Sequence, residues 1–172
     1  MRRIIVITGN GKAKTTSAIG SAVRALGRGF KVHFFQFIKS KDAAYGEHLF
    51  FAKSSKLKLV CFGLGCRKDF NYTPKDIKAA VEGLKKVATE LSKSKSAQTL
   101  CVLDEVSYPI IWKWFAVEDV IKIIKKNSKV NFILTGRDVP KKLIDLADTV
   151  SDVKEIKHAY QKGVNAQKGI EF

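Results

Sequence analysis

Lys14 and Thr15 close the stretch T-G-N-G-K-A-K-T-T, residues 8–16, where a short apolar run gives way to a segment of helical period. These residue types in this order suit a phosphate group. Gly9 and Gly11 let backbone N–H groups turn toward an anion, and the helix N-terminus that follows adds partial positive charge. Lys14 neutralises phosphate oxygens in such a loop, and the Thr15 hydroxyl is placed to bind Mg²⁺. Against the general G-x-x-x-x-G-K-[ST] pattern the loop departs twice. The interval from Gly9 to Lys14 is one residue short, and Ala13 stands where the second glycine belongs. A partner lies downstream in L-C-V-L-D-E, residues 100–105, an apolar run ending in Asp104 and Glu105. Mg²⁺ prefers oxygen ligands and keeps several waters, so one or two carboxylates suffice. L-T-G-R, residues 134–137, ends a third apolar run, and Arg137 suits either bidentate phosphate binding or a surface carboxylate. The bland alternatives are a lysine-bearing glycine turn and an acidic loop cap.

Elements of the right kind surround these residues. Short β-rich runs at 3–8, 31–37, 58–62, 99–103, 130–135 and 149–155 alternate with helical stretches at 14–27, 46–52, 74–94, 109–126 and 140–146. Thr73-Pro74 reads as an N-cap with proline in the first helical turn, and Lys93 and Lys95 suit that helix's C-terminal end. Runs such as IIVIT, LCVL and NFIL are apolar without alternation, as strands buried on both faces are. The expectation is one three-layer α/β domain over residues 1–172, with a mostly parallel six-stranded sheet. Ligands of such sheets bind at the C-terminal ends of the strands, where all three motifs fall.

Composition narrows the class. The 172 residues are 45% hydrophobic and 28% charged, a globular balance. Net charge is +16, carried by 26 lysines and six arginines against 16 acidic residues, which predicts an anionic partner without choosing it. Base reading and bidentate phosphate grips favour arginine, so the lysine excess reads mainly as solvated surface. The faces carrying Lys78, Lys85, Lys86, Lys122, Lys125 and Lys126 beside Glu82, Glu118 and Asp119 fit that. The N-terminal apolar run is too short for a secretion signal, and no run is long enough to span a membrane. Cys61, Cys66 and Cys101 read as free thiols of a reducing cytoplasm, since no second Cys/His pair lies at zinc spacing. His33 and His48 read as structural.

Taken together, the motifs resemble the ATP:cob(I)alamin adenosyltransferases of the CobA/BtuR/CobO type. GNGKAKTT is followed by R-A-L-G-x-G at 24–29, Phe35-Gln36-Phe37-Ile38-Lys39, Gly46-Glu47, Asp104-Glu105-Val106-Ser107-Tyr108 and Thr135-Gly136-Arg137. The match continues through L-A-D-T-V-S at 146–151 and K-H-A-Y-x-x-G-V-x-A-Q-x-G-I-E at 157–171, the most specific part. The short loop is itself a mark of that family.

The resemblance implies a P-loop NTPase fold of the RecA-like kind. It implies transfer of the 5′-deoxyadenosyl group of ATP to the cobalt of a reduced Co(I) corrinoid, with release of triphosphate. In that family ATP lies with its phosphates reversed, which opens the 5′ carbon to cobalt. Carried over residue by residue, Lys14, Arg137 and Glu105 act on the triphosphate and its metal. Gly9, Asn10, Gly11, Lys12, Ala13, Lys14, Thr15, Thr16 and Arg24 contact the nucleotide. Thr15 and Glu105 hold Mg²⁺ or Mn²⁺, with Asp104 in support. Homodimers are expected on the same basis. The +16 charge suits an acidic flavoprotein reductase, and the free thiols and missing secretion signal point to the cytoplasm, with no specific nucleic acid and no membrane. His158 lies inside the C-terminal signature as a candidate lining residue.

Three departures set the chain apart from that pattern. Ala13 replaces a usual glycine, which matters only if its φ is positive. Leu64 and Cys66 stand where a Phe and a Trp help strip the lower axial ligand from the corrinoid, with Phe62 and Phe70 as nearby substitutes or core residues. The chain begins at its first strand, so the segment that covers the site in some members is not expected. Trp112, Trp114 and Phe115 read as packing residues of one helix. Two other functions remain open from sequence: a nucleic-acid-stimulated P-loop ATPase, and an ATP- or corrinoid-binding module without turnover.

Overall fold

The computed structural model describes residues 2–43, 45–65, 71–94 and 96–172. Cys66, Phe70 and Lys95, named above, lie outside the described residues. Six strands form one sheet: β1 (Ile4–Thr8), β2 (Lys31–Ser40), β3 (Leu57–Gly63), β4 (Thr99–Asp104), β5 (Asn131–Thr135) and β6 (Thr149–Asp152). Their order across the sheet is β3-β2-β4-β5-β1-β6, and every recorded pairing is parallel. β5 therefore stands between β1, which carries the glycine loop, and β4, which carries the two carboxylates.

Helices cover both faces. α1 (Lys14–Gly27) and α2 (Gly46–Phe51) lie on one face. α3 (Pro74–Ser92), α4 (Ser107–Ile111), α5 (Val117–Lys126) and α6 (Lys141–Leu146) lie on the other. Alternate residues of each central strand serve opposite layers. Val32 and Phe34 of β2, with Leu100 and Val102 of β4, meet Ala18 and Ala22 of α1. Phe35, Phe37, Cys101 and Leu103 face Leu84, Val87 and Leu91 of α3 and Ile124 of α5. This two-sided burial is why the strands read as unbroken apolar runs. Burying a side chain of this size contributes roughly 1.5–3 kcal/mol.

The N-terminus of α3 is as the sequence predicts. The Thr73 N–H and hydroxyl both donate to Asp76 Oδ2, at 2.8 and 2.6 Å, with Pro74 opening the helix. The stretch 109–126, expected as one helix, is two. Lys113, at φ +60, breaks the path between α4 and α5. Ala116 is extended ahead of Glu118 and Asp119, which suit the N-terminus of a new helix. The break lowers Phe115 onto Phe37 (ring centroids 5.8 Å) and sets Trp112 and Trp114 against Tyr72 (4.5 and 5.1 Å), so all three are packing residues. β6 stops at Asp152 rather than 155, because Val153 turns its carbonyl to the Gly11 N–H at 2.7 Å. No helix among the described residues is long and apolar enough to cross a membrane.

Candidate functional site

The glycine loop leaves β1 at the C-terminal edge of the sheet and rests on the chain just after β6. Gly9 has φ +99, and a β-carbon there would collide with the Asp152 carboxylate and the Val153 backbone. A β-carbon on Gly11 would press into the carbonyls of Val153 and Lys154. Both glycines are therefore required by close approach, and Gly9 by its positive φ as well. Ala13, the residue before α1, has φ +113 and ψ −5. The glycine-like conformation is thus imposed on an alanine, at a cost of about 1 kcal/mol.

Past this turn, α1 presents Lys14 and Thr15. The Lys14 ammonium donates to the Gly11 carbonyl at 2.8 Å, curled over the loop. Burial, and then the charge of Arg137, hold its pKa below the ordinary lysine value despite Glu105, Asp104 and Glu155. The Thr15 hydroxyl donates to Asp104 Oδ1 at 2.9 Å.

Asp104 is fully buried and accepts from three side chains. Oδ1 also accepts from the Thr135 hydroxyl at 2.7 Å, and Oδ2 accepts from Gln36 Nε2 at 3.0 Å. Four elements meet on one carboxylate: α1, β2, β4 and β5. Glu105 follows at φ +60, its N–H bonded to the Thr135 hydroxyl at 2.9 Å, and its half-buried side chain lines the cavity in front of the loop. Burial first and the Asp104 charge second push the Glu105 carboxyl up to about 7, against the pull of Lys39, Lys14 and Arg137. Oxygen donors from Thr15, Asp104 and Glu105 in one corner fit a hard divalent cation that shares its shell with phosphate and water. Among the described residues no group of three His, Cys, Asp or Glu side chains forms a metal site by itself.

Arg137 completes this edge. Gly136, at φ +146, backs onto Ser107 so closely that a β-carbon would overlap the Ser107 hydroxyl, which donates to the Arg137 carbonyl at 2.6 Å. The Arg137 guanidinium reaches the Asn10 carbonyl at 3.5 Å, spanning from β5 to the glycine loop. The cavity so enclosed measures about 580 Å³. Gly11, Lys12, Ala13, Lys14, Thr15 and Thr16 line it from the loop side, opposite Glu105 and Arg137. Residues 169–172 form its front, and the Lys12 ammonium donates to the Ile170 carbonyl at 3.2 Å.

Not every expected residue arrives here. Arg24 stands exposed in the last turn of α1 and is not among the lining residues, although Ile19 and Val23 of the same helix are, so the helix face it occupies turns it away. Asn10 contributes its carbonyl, with its side chain outside the lining. His158 lines a neighbouring cavity of about 400 Å³ that shares Arg137, and its Nδ1 accepts from the Tyr160 N–H at 3.2 Å. Phe62 is a core residue, packed on Phe35 and Phe37 at 5.6 and 5.3 Å between centroids. Leu64 is 51% exposed beyond the end of β3.

Sequence reasoning assigned no role to Gln36, Lys39, Glu47 and Thr135, which join Asp104 to the cavity wall. Lys39 donates to Glu47 Oε1 at 2.6 Å and sits 4.6 Å over the Tyr45 ring. The signal was present: a glutamine inside an aromatic strand must find buried partners.

The whole chain, residues 1–172, matches the sequence model of a family described as ATP:corrinoid adenosyltransferase BtuR/CobO/CobP. It is 35% identical over 171 residues to a corrinoid adenosyltransferase of Pseudomonas aeruginosa, covering 98% of this chain and 83% of the relative. It is 34% identical over 172 residues to corrinoid adenosyltransferase CobA of Salmonella typhimurium, covering 98% and 85%. A KaiC-like protein from Pyrococcus horikoshii superposes with a TM-score of 0.49 at 17% identity, covering 90% of this chain and 73% of that one.

Proposed function

We propose, from the premise that this chain belongs to the ATP:corrinoid adenosyltransferase family, that it moves the 5′-deoxyadenosyl group of ATP onto the cobalt of a reduced corrinoid. The observation that carries the reading is the corner where Thr15, Asp104 and Glu105 meet beside Lys14 and Arg137. Its relatives are corrinoid adenosyltransferases by name, and the chain spans most of their length.

The chemistry asks little of protein nucleophiles. Co(I) supplies the electron pair that forms the Co–C bond, the C5′–O bond breaks, and triphosphate leaves with the bonding pair. No proton has to be transferred. What remains is alignment, worth ~7 kcal/mol or more in favourable cases, and stabilisation of charge on the departing triphosphate. Backbone N–H groups of the loop, with Lys12, Lys14 and Arg137, meet that charge; the Gly11 N–H is the exception, being bonded to the Val153 carbonyl. Lys14 is already poised over the loop and exchanges the Gly11 carbonyl for a phosphate oxygen. Thr15, Glu105 and Asp104 hold Mg²⁺ or Mn²⁺, which when bound adds positive charge at the phosphate oxygens.

On this reading residues 1–172 act as one domain. The protein works in the cytoplasm as a homodimer and receives its reduced corrinoid from a flavoprotein reductase whose acidic surface suits the +16 charge.

The test is incubation with ATP, Mg²⁺ and chemically reduced cobalamin, following the corrin spectrum and the phosphate products. Adenosylcobalamin with intact triphosphate is the expected result. Orthophosphate release stimulated by RNA or DNA would replace this reading with an ATPase, and binding without turnover would leave a binding module.

A further inference from the structure

Gln36 is fully buried in β2, between Phe35 and Phe37, where a polar side chain is costly unless each of its groups is matched. All of them are. Nε2 donates to Asp104 Oδ2 at 3.0 Å and points to Glu47 Oε1 at 3.5 Å. Oε1 faces His48 Nε2 at 2.7 Å and Cys61 Sγ at 3.3 Å.

The orientation of this amide is dictated from both sides. Two carboxylates on one flank require the NH₂ group there, because a flipped amide would set its oxygen against both of them. The oxygen must then meet donors on the other flank. The Cys61 thiol supplies one, since burial first pushes its pKa up to about 11 and keeps the proton on sulfur. His48 Nε2 meets the same oxygen at 2.7 Å and donates to it when that nitrogen carries hydrogen, while the ring also bonds the Ala43 backbone. Three elements outside the glycine loop, β2, α2 and β3, thus converge on the carboxylate that receives the Thr15 hydroxyl.

We propose that Gln36, locked by His48 and Cys61, is a positioning residue that fixes the plane of the Asp104 carboxylate and thereby tunes the affinity of the Thr15–Asp104 corner for metal·ATP. The proposal rests on the reading of that corner as the metal·ATP site. Without Gln36, Oδ1 keeps its two threonine donors while Oδ2 loses its only recorded one, and the carboxylate is free to rotate about its Cβ–Cγ bond. Among the described residues His48 bonds Gln36 and lies 3.5 Å from Cys61 Sγ but bonds neither Asp104 nor Thr15, so the path to the carboxylate runs through the amide.

The experiment uses the full chain and preformed Mn²⁺·ATP as the probe, titrated into the protein and read by isothermal titration calorimetry. Wild type, Gln36→Met, His48→Phe and the double variant are compared, with thermal midpoints recorded alongside. The expected result is a loss of about 10-fold or more in Mn²⁺·ATP affinity for Gln36→Met, the scale of orienting partners around a metal site. A smaller loss, about threefold, is expected for His48→Phe. The double variant should bind no more weakly than Gln36→Met alone, which is the non-additivity expected of residues acting in series. If Gln36→Met does not fold, Gln36→Asn keeps an amide too short to reach Asp104 and should show the same loss. Binding within twofold of wild type for a folded Gln36 variant would overturn the proposal while leaving the site reading intact. Losses that simply multiply in the double variant would overturn it too. Absence of Mn²⁺·ATP binding by wild type would instead defeat the site reading, and the proposal with it.

Discussion

Thr15 and Asp104, 89 residues apart in sequence, are joined by a hydrogen bond of 2.9 Å from the Thr15 hydroxyl to Asp104 Oδ1. The bond crosses the sheet past β5, whose Thr135 hydroxyl donates to the same oxygen. One side chain of the glycine loop's helix is therefore tied to the carboxylate strand before any ligand arrives.

Replacing Thr15 by valine keeps the shape and removes the hydroxyl. Asp104 retains Thr135 and Gln36, so stability should change by about 1 kcal/mol or less. Adenosyl transfer should fall by about 100-fold, the scale of losing one group that meets transition-state charge. Thr15→Ser should keep most of the activity. Urea unfolding and the corrin spectral assay on the same preparations check both halves.

Ala13 holds a φ of +113 that glycine adopts freely. Ala13→Gly should raise the free energy of unfolding by ~0.5–1 kcal/mol, the relief of backbone strain less the extra entropy glycine adds to the unfolded chain. Ala13→Val should lower it by more than that. Equilibrium denaturation decides the sign.

Lys39 and Glu47 form an ion pair at 2.6 Å with side chains 16% and 9% exposed. Burial opposes ionisation of both. For Glu47 the Lys39 hydrogen bond and charge prevail and hold the carboxyl below its ordinary value. For Lys39 the charges of Asp104 and Glu47 prevail and raise its pKa. A depressed carboxyl contributes stability above the unfolded glutamate pKa and loses it as pH falls through the folded value. A raised lysine contributes below the unfolded lysine pKa and loses it as pH rises through the folded value. The pair should thus stabilise the fold across neutral pH and fade at both extremes. Glu47→Gln should cost about 1–3 kcal/mol at pH 7 and much less at pH 3, measured as unfolding free energy against pH.

Gly136→Ala should be severely destabilising, by about 2 kcal/mol or more, since it adds overlap with Ser107 to an unfavourable φ. Ser107→Gly in the same chain should recover part of the loss. Paired denaturation curves measure the recovery.

Much of this architecture was legible in the residues. Apolar runs without alternation located the central strands, because burial on two faces leaves no polar register, whereas the exposed edge strand β6 carries no such run. Thr73, Pro74 and Asp76 fixed the start of α3 through local bonds alone. The break between α4 and α5 was hidden, since Trp112, Trp114 and Phe115 continue a helical apolar pattern while packing from a turn. The path of the loop depends on Gly9 and Gly11 packing against Val153 and Lys154, more than 140 residues away in sequence, which the local pattern does not show. Asp104 and Glu105 were recognisable as a pair. Which of them meets Thr15 depended on Gln36 and Thr135, whose strands adjoin β4 only in the folded sheet. Arg24 matched a motif but stands on a different face of its helix from Ile19 and Val23, which line the cavity.

The position of β1 governs the order in which the protein acquires its ligand site. β1 comes first of the six strands in sequence, yet its hydrogen-bonding neighbours are β5 and β6, the last two of them. Neither edge of β1 can be satisfied until residues 131–152 have folded against it, so these are contacts of high sequence separation and slow closure. The β2-β3-β4 side, whose pairings are nearer in sequence, assembles without it. Refolding should therefore show the glycine loop becoming rigid late. Nucleotide, which needs that loop on its strand, binds the finished sheet and draws the last stage of folding toward completion.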